Sequence, residues 1–345
     1  MLSRTLLSLA ALGAANLILA QTTTLNITAE VCADPTSFTT CTTQTLTSTK
    51  SCMDICAGSK ICVLGCGCAM YQNYMNCVAE SCWNQVYSCE YDELVAQYFV
   101  QCPVATEPIP YWPAPDNAPN GCSCNLGKVL RSVTKAQLEY NSCITSSNTN
   151  SVVELANKDT ACGCCQVSAG LSAMYETCPN TIPADMGADV WLTTATLYGT
   201  MLKWDQCGTY LDKYSCPNLG FANPASNSST FIKPGNFPPN GTQTLYNTGV
   251  ATAITAPPSG SVFTWSQSTV MFTVTASPWK NSNAKPTATG GSGSSGNSGG
   301  SGGSGASGTA GAAGSTKTGA ATSLEQPILI AWLPVLSVLA KMMFA

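Results

Sequence analysis

The sequence predicts a mainly α-helical, disulfide-rich head, built as one unit or two subdomains, followed by a disordered Ser/Thr/Gly-rich stalk. Three observations carry this expectation. All 20 cysteines fall between Cys32 and Cys216, about one residue in nine there, above the ~8–10% that marks a disulfide scaffold. Apolar and cysteine positions in that stretch recur at helical rather than strand spacing. Beyond Cys216 charge nearly vanishes and Pro, Asn, Ser, Thr and Gly take over. Such a composition cannot bury enough apolar surface to offset its ordering entropy.

Residues 1–20 read as a secretory signal peptide. Arg4 supplies the positive end, Leu6 to Leu19 the apolar stretch, and Ala20 the small residue before cleavage. Residues 21–102 form a first cysteine-rich helical region. The run from Ala69 to Gln101 lacks Pro and Gly, and Tyr71, Tyr74, Cys77, Val78, Cys82, Val86 and Cys89 recur at steps close to one helical face. Cys52 and Cys56, four apart, share a face. Residues 103–121, with Pro108, Pro110, Pro113 and Pro115, read as an extended connector, because proline fixes φ and removes a donor.

Residues 122–222 form a second cysteine-rich region. Val129 to Ser142 is amphipathic, with Leu130, Val133, Leu138 and Cys143 as inner positions, and Ser151–Ala156, Val167–Thr177 and Asp189–Gln206 are further helix candidates. Residues 223–289 are Ser/Thr/Pro-rich. There the alternation of Val270, Phe272 and Val274 predicts a short strand, paired with Val262 to Trp265. Residues 290–314 are a Gly/Ser linker, a coil of end-to-end distance on the order of 30 Å. Residues 315–345 read as a glycosylphosphatidylinositol (GPI) signal: a polar spacer, then an apolar terminus from Pro327, with lipid attached at Ala313 or Gly314.

Composition narrows the chemistry. The chain has no histidine, 14 Lys+Arg, 18 Asp+Glu and a net charge of -4. This excludes the usual Ser-His-Asp triad, His-liganded metal and a histidine pH switch. It leaves no basic footprint for nucleic acid. The spacings Cys66-Gly67-Cys68 and Cys162-Gly163-Cys164-Cys165 would suit a soft metal, but an oxidising compartment consumes thiols. Disulfides are therefore expected at Cys32, Cys41, Cys52, Cys56, Cys62, Cys66, Cys68, Cys77, Cys82, Cys89, Cys102, Cys122, Cys124, Cys143, Cys162, Cys164, Cys165, Cys178, Cys207 and Cys216, with the pairing left open.

Two carboxylate groups, Glu90/Asp92/Glu93 and Asp185/Asp189, are the candidates for glycosidase-type chemistry. Neither sits in a catalytic motif, and solvated helix faces are the simpler reading. Asp159-Thr160-Ala161 is similar to an aspartic-protease triplet but occurs once, without flanking apolar strands. Tyr71, Tyr74, Trp83, Tyr87, Tyr91, Tyr98, Trp191 and Trp204 are expected in the core rather than on a ligand. Asn26, Asn227 and Asn240 open N-x-[ST] sequons.

The layout as a whole resembles secreted, cysteine-rich, GPI-anchored surface proteins of filamentous fungi. Cys52-x3-Cys56-x5-Cys62-x3-Cys66-x-Cys68-x8-Cys77 partly resembles the CFEM module, a helical eight-cysteine domain that in some members binds haem through an aspartate before the CxC. Here that interval is Val63, Leu64, Gly65, the nearest acid is Asp54, and no haem is expected. The resemblance implies a non-enzymatic surface or wall glycoprotein in wall organisation, adhesion or host contact. Its partners would be the membrane, through lipid, and wall glycans or a host surface. The alternatives are haem or small-ligand capture by the head, and a carboxylate-dependent wall-glycan enzyme.

Overall fold

The computed structural model describes residues 26–146, 151–195, 203–222 and 231–284. The signal segment, Asn227, the Gly/Ser linker, Ala313, Gly314 and the apolar terminus lie outside them. The described chain is mainly helical. Its helices are α1 (Pro35–Ile55), α2 (Lys60–Ser81), α3 (Cys89–Gln101), α4 (Leu126–Thr145), α5 (Val152–Thr177), α6 (Ala188–Ala195) and α7 (Cys207–Lys213), followed by a hairpin of β1 (Val262–Gln267) and β2 (Val270–Thr275). Among the described residues no helix is long and apolar enough to cross a membrane.

Helix α1 forms from a sequence poor in helix formers. Asp34 caps it, accepting from the Ser37 amide at 3.1 Å, and Pro35 occupies the first turn. Its threonines turn their hydroxyls back onto the carbonyl four residues earlier, as Thr39, Thr40, Thr47 and Thr49 do. Three disulfides hold this helix to α2: Cys41–Cys77, Cys52–Cys66 and Cys56–Cys62. The steps between these cysteines on α1, eleven residues and then four, recur in reverse on α2. Eleven residues is close to three helical turns, so the three bridges are rungs on the facing sides of an antiparallel pair. Helix α2 starts at Ser59, which caps it, well before Ala69, and runs through Gly65 and Gly67. The predicted run to Gln101 is broken between Cys82 and Ser88, where a new cap, Ser88, starts α3.

In the second region α4 and α5 form another antiparallel pair. Val129, Val133 and Ala136 face inward, whereas Leu138, expected inside, is 51% exposed. It lies five residues past Val133, off the stripe that buries Val129, Val133 and Ala136. The two expected helices of α5 are one. It runs continuously through Cys162–Cys165, and those cysteines radiate from it: Cys162 to Cys143, Cys164 to Cys207, Cys165 to Cys216. Gly170 lets Trp191 of α6 lie directly on this helix, since a Cβ there would sit 2.4 Å from the indole nitrogen. Of the helix expected from Asp189 to Gln206, α6 covers the part to Ala195, residues 196–202 lie outside the described residues, and Trp204–Gln206 form a 3-10 turn.

Ten bridges pair all twenty cysteines and none is free. Six lie within Cys32–Cys122 and four within Cys124–Cys216. No disulfide joins the regions. Cys122, at the start of the expected second region, bonds back to Cys89.

Two cysteine-free segments do the joining, and the second corrects the sequence reading. The Pro-rich piece forms no helix or strand, as expected of a connector, and packs into the head. Ile109, Trp112 and Ala114 are buried, and the Tyr91 hydroxyl donates to Pro110 O at 2.7 Å. Residues 231–284, which the composition assigns to the stalk side, are folded onto the head. Ile232 hydrogen-bonds Ser172 of α5 in the second region. Thr248 N donates to Gly121 O at the junction. In the first region Trp265 Nε1 reaches Asn76, and the Asn281 amide donates to Glu30 O and Cys32 O. β1 and β2 pair antiparallel with Val262 opposite Thr275, and bury Trp265 and Val274 against the first region's core. The strap is polar in composition, yet it buries Phe231, Ile232, Ile254, Trp265 and Val274 in the cores it crosses.

Candidate functional site

The cysteine clusters are structural. Cys56, Cys62 and Cys66 bring their sulfurs within 4.8 Å of one another, but each is bridged, and a disulfide sulfur carries no thiolate for a metal. Cys66 and Cys68 are tied to Cys52 and Cys102. The residues before them on α2, Val63 and Leu64, are half-buried and exposed aliphatics, without the oxygen or nitrogen donor that haem iron takes.

A cleft of about 840 Å³ opens where the two regions meet. Asp92 of α3, Asp116 and Asn117 of the Pro-rich segment, Lys128, Arg131, Ser132 and Lys135 of α4, Glu176 and Thr177 of α5, and Thr248 of the strap line it. Lys128, Arg131 and Lys135 follow one another at helical spacing and form a stripe along α4. Each faces a carboxylate: Lys128 pairs with Asp116, Arg131 with Glu107 through two contacts, and Lys135 with Glu139 at 3.7 Å. No aromatic ring lines the cleft, so it offers hydrogen bonds and charge rather than a stacking platform.

Asp92 is the unusual group. It is fully buried and neither carboxylate oxygen has a hydrogen-bond partner. Burial pushes its pKa up to about 8; Glu93 pushes the same way and the Leu126 amide at the start of α4 pulls against both, without a well-formed hydrogen bond. Burial therefore favours the protonated, neutral form of Asp92 where it lines the cleft.

Of the carboxylates singled out in the sequence, Asp92 alone lines the cleft. Glu90 accepts from the Asn247 amide at 3.0 Å. Glu93 is held above the usual carboxylate range by burial and by Glu90, with the Asn26 amide opposing. Asp185 lies in the turn before α6, and Asp189 in its first turn. Asp159-Thr160-Ala161 lies mid-helix in α5, where Thr160 bonds back to Ala156 O at 2.8 Å. A triplet inside a helix is not a protease's catalytic loop. Tyr71, Tyr74, Trp83, Tyr91, Tyr98 and Trp191 are buried, and Tyr87 and Trp204 are half-buried. They pack in the cores. The sequence reading missed Asp116, Glu176 and the α4 stripe. The spacing of Lys128, Arg131 and Lys135 was the available signal, in a chain where only 9% of residues are charged.

Asn26 and Asn240 are both exposed. No protein-family model, no curated protein and no solved structure matches this chain.

Proposed function

We propose that this chain is a non-enzymatic surface glycoprotein of a fungus, held by GPI lipid at the outer face of the plasma membrane or in the cell wall. Its head acts there in wall organisation, adhesion or host contact. One observation supports this above the others: twenty cysteines, all paired, in a head with none free. Such pairing belongs to an oxidising compartment. The signal-like start and the small-site, spacer and apolar order at the end are consistent with it. Treating intact cells with phosphatidylinositol-specific phospholipase C is expected to release the protein, and retention would overturn the anchor. No cofactor enters this reading.

A second reading, a carboxylate-dependent wall-glycan enzyme, is favoured by the cleft that gathers Asp92, Asp116 and Glu176. Its test is product release from β-glucan or chitin that disappears in Asp116→Asn or Glu176→Gln. An inactive wild-type protein on both polymers removes it.

A further inference from the structure

We propose that Asn240 carries an N-linked glycan whose first N-acetylglucosamine lies on the ring of Phe237, as a structural part of the second region. This rests on the secretory reading above, and extends it from a sequence match to a built site.

The sequon Asn240-Gly241-Thr242 follows Phe237-Pro238-Pro239. Proline fixes its own φ and holds the residue before it extended, so this span favours the polyproline conformation. That helix has three residues per turn, which puts residues 237 and 240 on the same side, about 9 Å apart. The structure agrees: a single side chain, Tyr175 of α5, meets both. Its ring packs edge-on to Phe237 with centroids 6.0 Å apart, and its hydroxyl donates to Asn240 Oδ1 at 2.9 Å. The amide is thus oriented by its oxygen, and its nitrogen, the atom that takes the sugar, is turned away from Tyr175.

Phe237 is an apolar ring left 36% exposed. It is fixed from a second side by Trp204, at 6.2 Å and edge-on. Held by these two contacts, Phe237 still leaves apolar ring surface open to solvent, and a pyranose has an apolar C–H face to cover it. The sequon backbone is equally fixed. Gly241 sits so close to Asn180 that a Cβ would come within 2.1 Å of its carbonyl carbon. Gln243 N donates to Asn180 O at 3.0 Å, and Ile182 N donates to Gln243 O at 2.8 Å. Asn240 and Thr242 remain exposed. Asn26, at the other described sequon, has no aromatic residue three positions before it, but Thr23.

The test uses the full chain made in a eukaryotic secretory host. Site occupancy is read by glycopeptide mass spectrometry, and melting temperature is compared among wild type, Thr242→Ala, Phe237→Ala and the double variant. Thr242→Ala removes the sequon while keeping Asn240 and its bond to Tyr175. Asn240 is expected to be occupied, and Thr242→Ala to lower the melting temperature by about 2–4 °C. In the Phe237→Ala background the same change is expected to do nothing, a coupling that isolates the sugar–ring contact. An occupied Asn26 with a bare Asn240 would overturn the proposal and leave the secretory reading standing. So would a Thr242→Ala shift of equal size, or none, in both backgrounds. Neither sequon occupied, together with reduced cysteines, would sink both.

Discussion

The two helical pairs solve the same packing problem by different means. The α1–α2 pair is joined by three disulfide rungs, and α1 buries only Phe38, Thr45 and Thr49. The α4–α5 pair has one rung between its helices, Cys143–Cys162, a second bridge at its open end from Cys124 just before α4 to Cys178 at the end of α5, and between them a hydrogen bond between Gln166 Nε2 and Gln137 Oε1, both side chains buried. Its inner faces instead carry Val129, Val133, Val167, Leu171 and Met174. Apolar residues near the first rungs do not help: Ile55 and Ile61, at the turn between α1 and α2, are 80% and 85% exposed. Where a helix offers an apolar face, burial can hold it and sulfur is spent elsewhere. Where it offers threonine, covalent rungs replace the core.

Removing a rung from each pair should break this comparison open, and it is the largest effect we expect. Cys41→Ala with Cys77→Ala opens a link across 36 residues and should cost about 4 kcal/mol on loop entropy. Cys143→Ala with Cys162→Ala opens one across 19 and should cost about 3 kcal/mol. The sharper difference is local. Hydrogen exchange should show the α1 amides losing protection in the first variant, while α4 and α5 stay protected in the second. Equal protection in both would mean that α1 is held by something other than its rungs.

The junction between the regions is expected to respond to pH through Asp92. Its folded pKa, about 8, lies above the ordinary aspartate value of 3.8. The folded state therefore keeps a proton that the unfolded state releases between about pH 4 and pH 8. Stability is full below that window and falls as pH rises through it. Glu93, also raised by burial, acts in the same direction. Asp92→Asn keeps the shape and removes the charge. Denaturation midpoints should match wild type near pH 4 and exceed it near pH 8. Identical pH profiles would remove Asp92 as the cause.

How much of this was legible follows from what each signal depends on. The helical class was readable because Tyr74, Val78, Val129 and Val133 repeat with the helix. The rungs were also readable, unused: Cys41-x10-Cys52-x3-Cys56-x5-Cys62-x3-Cys66-x10-Cys77 has mirror spacing, which antiparallel helices joined on facing sides require. Helix α1 was legible at its C-terminal end, where Cys52 and Cys56 share a face, but not over its earlier turns, whose threonines argue against helix on propensity. The strap was hidden for another reason. Asn281, Gln267 and Trp265 are fixed by partners far away in sequence, and composition cannot name a distant hydrogen-bond partner. The cleft depends on α3, α4 and α5 meeting, so the sequence showed only its separate parts: Asp92 in its carboxylate cluster, and the unused spacing of the α4 stripe.

The glutamine pair allows a smaller and cleaner test of what substitutes for a rung. Gln137→Leu alone leaves the Gln166 amide buried without a partner and should cost about 1–3 kcal/mol. Changing both to leucine removes the orphan and should restore stability to near wild type. Urea midpoints of the two singles and the double decide this. A double variant as unstable as the singles would show that the pair's shape, not its hydrogen bond, is what the helices need.

The smallest effects concern how the strap is pinned to each region. In the first, Lys280 Nζ meets Asp34 at 2.8 Å, with the lysine 58% and the aspartate 3% exposed. Burial alone would raise the Asp34 pKa, but hydrogen bonds from Lys280 and Ser37 outweigh it and leave it lowered. In the second, Lys233 meets Asp212 at 2.6 Å with both groups open to water, 42% and 71% exposed. An exposed pair is worth roughly 0–1 kcal/mol, so Lys233→Met should leave the midpoint unmoved at any salt concentration. Lys280→Met should lower it by about 1 kcal/mol, because it strips a partner from a buried carboxylate that also caps α1. The sign with pH is opposite to that of Asp92: a lowered carboxylate pKa gives stability that is present above 3.8 and lost as pH falls through the folded value. The Lys280→Met deficit should therefore be seen at pH 7 and shrink toward pH 3. A deficit that persists there would assign the effect to the lysine's aliphatic stem rather than to its charge.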